Sequence, residues 1–450
     1  MSSSLYTLLI VESSMTARRI QQLVPPHIFV IATDGFIWKP AYDSRKKILK
    51  KRAIPDKLDL RKEIKQQADI ASKVIIATDN DPSGDFIAWS LAKYQSGKPL
   101  LRSFVQSISK TDILRMIQNA AHLDENTLLY KLQNRYLIQQ VWNQHIPRHT
   151  FKEAGTIALK NHQTYSTFRS NNEILFKTNQ PISCKPGEWL TLHAAESVDY
   201  VNKTSLSTFD VVADSYRELT LSSYAEGQKI VNQLFHKTYP DTDEGLISYP
   251  RTAAQGFYQT SWQRLQDQWV HFDSLEHFKP DFLQTVIAHN EAHESVHPYD
   301  IRITPQMVSK SVQKPFSGMY KIIYDETINA ISQPKKAGST FCLKNRDPLF
   351  YSDESLTEST IDVTPVFTVA EWGQHLCNLG VLRPSGFGVW VDEAVDKALI
   401  SIKNGSISTE RLSTAEHQTA EKYHYLLKEL NAVSDQPHIT DETLSGIFAS

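Results

Sequence analysis

The first unbroken apolar stretch of the chain is Leu8-Leu9-Ile10-Val11, and it stops at Glu12. A continuous run of this length predicts a strand buried on both faces, since a half-exposed strand would alternate. Ser13 or Ser14 supplies an oxygen to cap a helix starting near Met15 that carries Arg18 and Arg19. Phe29 to Ala32 predicts a second strand and Val74-Ile75-Ile76-Ala77 a third. The third runs into Thr78-Asp79-Asn80-Asp81-Pro82-Ser83-Gly84-Asp85, followed by a helix from Phe86 to about Lys93. Strand, acidic loop and helix make an α/β unit, and such sheets bind ligands at their strand ends.

Further on, the period changes. Ile113, Met116 and Ile117, then Leu129, Leu132, Leu137 and Ile138, recur at helical spacing, which predicts mostly helix from 111 to about 180. From 181 to 235 the alternation of Phe209, Val211 and Ala213, then Leu219 and Leu221, predicts short strands, with a helix over Ala225 to Phe235. Residues 305 to 365 mix helical and strand patterns.

Composition changes this picture little. The chain has 450 residues, 40% hydrophobic and 22% charged, with a net charge of −2. A nucleic-acid function therefore requires local basic patches. One candidate is the segment from Arg45 to Lys65, which holds Lys46, Lys47, Lys50, Lys51 and Arg52; it reads equally as a solvated surface and as a DNA contact. No apolar run is long enough to span a membrane, and cytoplasmic residence is the expectation. Cys184, Cys342 and Cys377 form no CxxC pair, so neither a disulfide framework nor a zinc ribbon is indicated.

Two stretches carry candidate chemistry. Asp79 and Asp81 alternate off a strand end, Asp85 falls in the first helical turn, and Glu12 ends another strand. Four converging carboxylates repel one another unless a cation sits among them, and an all-oxygen donor set of this charge suits Mg²⁺. The second stretch is Gly245-Leu246-Ile247-Ser248-Tyr249-Pro250-Arg251-Thr252. Pro250 ends any regular element, and in an extended chain Tyr249 and Arg251 point to one side. A phenol with a guanidinium beside it suits attack on a phosphodiester.

Leu9-Ile10-Val11-Glu12-Ser13 with Ala77 to Trp89 resembles the Toprim domain of type IA DNA topoisomerases, whose pattern is IVES with TDxDREGExIAW. Pro82-Ser83 stand where that family has Arg-Glu, Asp85 where it has glutamate, and Thr16 where it has lysine, for which Arg18 is a candidate substitute. Thr33 to Pro40 is similar to SxGHxxDLP, with Phe36 in place of histidine. Ala154-Gly155-Thr156-Ile157-Ala158 resembles AGRVQ, the 225–235 helix resembles AQxLYE, and the tyrosine segment resembles GLITYxRT. Its Tyr-Pro-Arg-Thr form is most similar to the topoisomerase III subgroup, although Ala253 departs from the usual aspartate. Asn290 to Pro298, which includes His293, resembles DAHEAIRP, with His297 in place of arginine, and Leu379 to Gly388 resembles LGIGRPSTYA. Leu412 to Glu416 echoes LTPTE.

The resemblance runs from residue 8 to about 425 and implies a multidomain α/β plus α fold, a four-domain torus without C-terminal zinc domains. The implied domains are Toprim at 1–112, a helical DNA-groove domain at 113–182 and 366–450, a β-rich hinge at 183–238 and 335–365, and a gate at 239–334. It also implies a monomeric, Mg²⁺-dependent, ATP-independent enzyme acting on DNA with a single strand in the groove. Tyr249 is the implied nucleophile, Arg251 and His293 its phosphate partners. Glu12 either relays a proton or helps Asp79, Asp81 and Asp85 hold the metal. Arg18, Arg102, Arg135, Arg383 and Ser385 are the implied DNA contacts. Two rival readings are a catalytically impaired single-stranded DNA-binding relative and a Toprim-containing primase or nuclease. The second leaves Tyr249 and Arg383 unexplained.

Overall fold

The computed structural model describes residues 6–43, 48–94, 98, 100–105, 108, 110–145, 164–185, 187–195, 200–201, 204–240, 245–271, 278, 293–332, 335–336, 339–343, 349–352, 354–378 and 382–409. The chain divides into two compact units. One comprises 1–148, 233–249 and 428–450, the other 149–232 and 250–427.

The first unit is built in chain order from β1 (Thr7–Val11), α1 (Ser14–Leu23), β2 (Ile28–Ala32), β3 (Trp38–Asp43), β4 (Ile48–Ala53), α2 (Leu58–Ile70), β5 (Lys73–Ile76), α3 (Pro82–Leu91), β6 (Leu100–Arg102), α4 (Lys110–Gln118), β7 (Ala121–His122) and α5 (Glu125–His145). Its sheet has the order β2-β1-β5-β6-β7, parallel except for β7. β1 lies between β2 and β5, which explains why Leu8, Leu9, Ile10 and Val11 are all buried: this strand has no solvent face. Helix packing completes the core. Ile64 and Ala68 of α2, Phe86, Ile87 and Leu91 of α3, and Leu128 and Leu132 of α5 close over Leu8, Ile10, Val74 and Ile76. Parallel strands put their carboxyl ends on one edge, and Glu12, Thr33, Asp79 and Arg102 sit at or just beyond those ends.

The second unit begins with β8 (Thr164–Ser170), β9 (Leu175–Ser183), β10 (Leu190–Ala194) and β11 (Tyr200–Val201). It continues through α6 (Thr208–Glu218), α7 (Tyr224–Leu234, whose last residues belong to the first unit), α8 (Gln259–Trp269), α9 (Pro305–Ser311) and α10 (Phe316–Ile331). Then follow β12 (Lys335–Lys336), β13 (Ser339–Cys342), β14 (Leu349–Ser352), β15 (Thr360–Thr368), α11 (Val369–Asn378), α12 (Phe387–Asp396), β16 (Ile400–Lys403) and β17 (Ser406–Thr409). Strands β10-β13-β14-β9-β8-β15 follow one another, and β15 pairs back onto β10, so the sheet closes on itself; the β17-β16 hairpin extends from β15. Closure leaves those paired strands no free edge. Phe168, Phe176, Leu192, Phe341, Phe350 and Val363 are fully buried along the barrel strands, with Phe168 edge-on to Phe350 at 5.2 Å and Phe176 to Phe341 at 5.6 Å.

Two expectations are corrected here. The stretch from Phe209 to Leu221 is not strand: α6 runs to Glu218, and Leu219 and Thr220 form a turn after it. Its start carries a full capping box, in which the Ser207 hydroxyl accepts from Asp210 N while the Asp210 carboxylate accepts from Ser207 N. Thr208, Phe209, Val211, Val212 and Ser215 are its buried residues, one helical face; Phe209 and Val211 fall on that face, and their apparent alternation with Ala213 is incidental. Conversely, helix does not continue to 180. Beyond α5 come β8 and β9, of which β9 alternates in burial, and a turn with Glu173 at φ 65° joins them. Among the described residues, no helix is long and apolar enough to cross a membrane.

Candidate active site

The acidic loop grows from β5. Ala77 and Thr78 are still buried, and the Thr78 hydroxyl donates to Gly84 O at 2.8 Å. Asp81, not Asp79, caps α3: its Oδ1 accepts from Gly84 N at 2.7 Å, and Pro82 takes the first helical position, where a missing N–H costs nothing. The loop folds so tightly that a Cβ on Gly84 would lie 2.0 Å from Asp79 O. Glycine is therefore the residue that fits, and the Pro82-Ser83 replacement leaves this turn intact. Asp85 stands in the first turn of α3, as expected. Burial raises its pKa, against the opposing pull of Arg102.

Arg102 lies beneath this loop. At the end of β6, paired in register with Ile76, it is 9% exposed. Nη1 donates to Ile76 O (3.2 Å), Thr78 O (3.0 Å) and Thr78 Oγ1 (2.8 Å), and Nη2 to Asp79 O (3.0 Å) and Asp85 Oδ1 (3.4 Å). The Phe104 ring covers its guanidinium at 4.4 Å. Burial lowers its pKa, and Asp85, Asp79 and Asp81 oppose that shift. Arg102, expected as a DNA contact, thus holds the loop. It is also an internal cation for carboxylates that the sequence alone presents as unpaired.

Tyr249 reaches the same loop. Leu246, Ile247 and Ser248 are buried, so the segment is anchored, although it forms isolated bridges, one of them between Thr238 and Gly245, and not a strand. The half-buried Tyr249 packs edge-on against Phe235 at 5.5 Å and donates its hydroxyl to Asp79 Oδ2 at 2.6 Å. Glu12 is half-buried at the end of β1. Beside it, Ser14 N and Oγ donate to Asp34 at 2.8 and 2.5 Å, and Lys57 Nζ donates to Thr33 O (3.1 Å) and Asp34 O (2.9 Å). Thr16 faces the core and Arg18 is exposed. The ammonium group at this strand end is therefore Lys57, which the sequence shows only as one more lysine in a basic run.

That run is mostly a structural surface. Lys50 pairs with Asp43 at 2.6 Å, Lys62 with Asp59 at 3.3 Å and Lys65 with Asp69 at 2.9 Å. Lys51 donates to Ser90 O at 2.8 Å and lies over the Trp89 ring; Arg61 is buried, donating to Ile37 O and Ile54 O. Arg45, Lys46 and Lys47 lie outside the described residues.

In the second unit, Arg251 is exposed and His293 buried. Thr252 Oγ1 donates to His293 O at 3.0 Å, and Thr208 Oγ1 donates to Pro250 O at 2.6 Å. His297, which stands where the resembled family has arginine, is a core residue. It is 0% exposed, its Nδ1 donates to Ser295 O at 2.9 Å, and its Nε2 accepts from Arg264 Nη2 at 3.1 Å. A carbonyl only accepts and a guanidinium only donates, so the ring hydrogen is on Nδ1. Glu294 is equally engaged, accepting from Tyr258 N and Ser261 Oγ. Arg383 is half-buried and Ser385 exposed just before α12. Arg135 lies on α5, but its side chain is outside the described residues, as are Ala154 to Ala158, Leu379 to Val381 and Leu412 to Glu416.

Residues 7–112 match the Toprim domain family. DNA topoisomerase 1 of Mycoplasma pneumoniae is 22% identical over 438 residues, covering 74% of this chain and 61% of the relative, so the chain spans about three-fifths of that protein's length. Full-length topoisomerase I from Thermotoga maritima superposes with a TM-score of 0.65 at 15% identity, covering 98% of this chain and 89% of that one. The chain has the fold of a type IA topoisomerase, with its Toprim domain at 7–112.

Toprim domains in general bind divalent metal ions. Among the described residues, no group of three or more His, Cys, Asp or Glu side chains is gathered as a metal cluster. The donor chemistry nonetheless fits a hard cation, because Asp79, Asp81 and Asp85 are carboxylates of one loop; at Asp85 burial raises the pKa and Arg102 lowers it, with a smaller upward push from Asp81.

Proposed function

We propose that this chain is a type IA DNA topoisomerase that cuts one strand through Tyr249. The observation that carries the reading is the Tyr249 hydroxyl held 2.6 Å from Asp79 on the acidic loop of a Toprim sheet. A tyrosine set against a carboxylate has an acceptor for its proton when its oxygen attacks phosphorus. The Tyr249 O–P bond forms, the P–O3′ bond breaks, and the 3′-oxygen leaves with a proton, Glu12 being the candidate donor. Religation is the reverse, so bond energy is kept in the 5′-phosphotyrosyl link and no ATP is consumed. Arg251 and His293, by sequence resemblance, neutralise the charge on the non-bridging oxygens. A single strand bound mainly through its phosphates is the substrate, with Arg18, Arg383 and Ser385 as candidate contacts. Asp79, Asp81 and Asp85, joined by Glu12 when it is not the proton donor, would hold Mg²⁺, which when bound supplies positive charge beside the phosphate. Action as a cytoplasmic monomer belongs to the same proposal.

The test is relaxation of negatively supercoiled plasmid with Mg²⁺, by the protein and by Tyr249→Phe. Relaxation lost only in the variant supports the reading; relaxation surviving in it overturns the nucleophile. The loss of the family's Arg-Glu pair at Pro82-Ser83 favours an impaired single-strand-binding protein as the second reading. Binding without relaxation by the native chain is the result that would select it.

A further inference from the structure

Two buried threonines in the second unit link segments that are far apart in sequence. Thr208 opens α6 and Thr252 follows the tyrosine segment; both are 0% exposed. Thr208 N donates to Thr252 O at 2.8 Å, and Thr252 N donates back to Thr208 Oγ1 at 2.8 Å. Thr208 Oγ1 then gives its own hydrogen to Pro250 O at 2.6 Å. Thr252 Oγ1 donates to His293 O at 3.0 Å and accepts from Ala254 N at 3.0 Å. Each hydroxyl therefore donates once and accepts once, so its hydrogen has a fixed direction. Arg251 lies between the two anchored residues Pro250 and Thr252, and the backbone of His293 hangs on Thr252.

We propose that Thr208 and Thr252 are positioning residues that hold His293 in register with Arg251. Neither touches substrate. Each fixes backbone, and the backbone aims the side chain. The inference rests on the topoisomerase reading for what the two side chains do, but the register itself is a property of this chain. A hydroxyl is needed because valine, of nearly the same shape, would leave His293 O and Ala254 N buried without their partner. Serine retains the oxygen and its hydrogen.

The test uses the full chain with Thr252→Val and Thr252→Ser, labelled with ¹³C-histidine. The His293 resonance is identified by its disappearance in His293→Gln. In Thr252→Val it is expected to shift or broaden, and cleavage of a single-stranded oligonucleotide with Mg²⁺ to slow by about tenfold or more, with oligonucleotide affinity unchanged. Thr252→Ser is expected to restore both. A His293 resonance that stays in place in Thr252→Val, or that moves equally in Thr252→Ser, overturns the proposal. If the native chain does not cleave while His293 still moves in Thr252→Val alone, the topoisomerase reading fails and the positioning role stands.

Discussion

Tyr249 donates its hydroxyl to Asp79 Oδ2 at 2.6 Å, across 170 residues of sequence. The bond joins the two motifs the sequence marks most strongly, and it sits within one compact unit. A phenol bound to a carboxylate contributes more than a neutral pair, roughly 1.5–3 kcal/mol when well shielded. Tyr249 is only half-buried, so about 1 kcal/mol of coupling is expected. Tyr249→Phe, Asp79→Asn and the double variant, compared by urea unfolding, should show that coupling. Strict additivity would mean that the contact contributes nothing to the fold.

Gly84→Ala should cost far more than its size suggests. The added methyl would meet Asp79 O at 2.0 Å, backbone against backbone, and the loop has no flexible atom to yield. A loss of about 2–4 kcal/mol is expected, together with loss of cleavage because Asp79 must move. Gly35→Ala is the control: its φ is +81° but nothing lies within 4 Å, so only the backbone penalty of about 1 kcal/mol applies. Equal losses in the two variants would refute the steric account.

Much of this arrangement was legible in the sequence, and the exceptions share a cause. The run Leu8 to Val11 announced a central strand because burial on both faces leaves no polar position. The Asp79 to Asp85 loop announced itself because its glycine, proline and cap obey local rules. Local rules failed where direction mattered. Arg102 reads as a basic residue near the site, and only the pairing of β6 with β5 turns it inward. His297 reads as a stand-in for an arginine, yet the Arg264 and Phe257 contacts that bury it come from residues more than thirty positions away. At Phe209 to Ala213 two periods were available, and the capping box at Ser207 selects helix.

Arg102→Met should be strongly destabilising, by about 3 kcal/mol or more. It removes a buried guanidinium that serves backbone carbonyls, Thr78 and Asp85 together, leaving a half-buried carboxylate without its cation. Lysine cannot reproduce the fork, so Arg102→Lys should recover little of the loss. Added Mg²⁺ should raise the melting temperature of the variants more than that of the native chain, since the loop carboxylates have lost their internal countercharge. An Mg²⁺ response equal to that of the native chain would argue against Arg102 as that countercharge.

Asp214 on α6 gives the chain a pH dependence away from the candidate site. Burial pushes its pKa up to about 7 despite Arg217, which donates to it at 2.9 Å; Asp210 and Glu218 of the same helix and Glu326 of α10 push the same way as burial. A carboxyl raised from its ordinary value of 3.8 holds its proton in the folded state after the unfolded chain has released it. Between about pH 4 and pH 7 the folded state thus binds more protons, and this group's contribution to stability falls as pH rises. The direction is opposite to that of a salt-bridged carboxylate. Asp214→Asn should therefore be more stable than the native chain at pH 8. Its advantage should shrink as pH is lowered towards 4. Urea unfolding at several pH values measures both curves, and an advantage independent of pH would show that Asp214 does not titrate in this range.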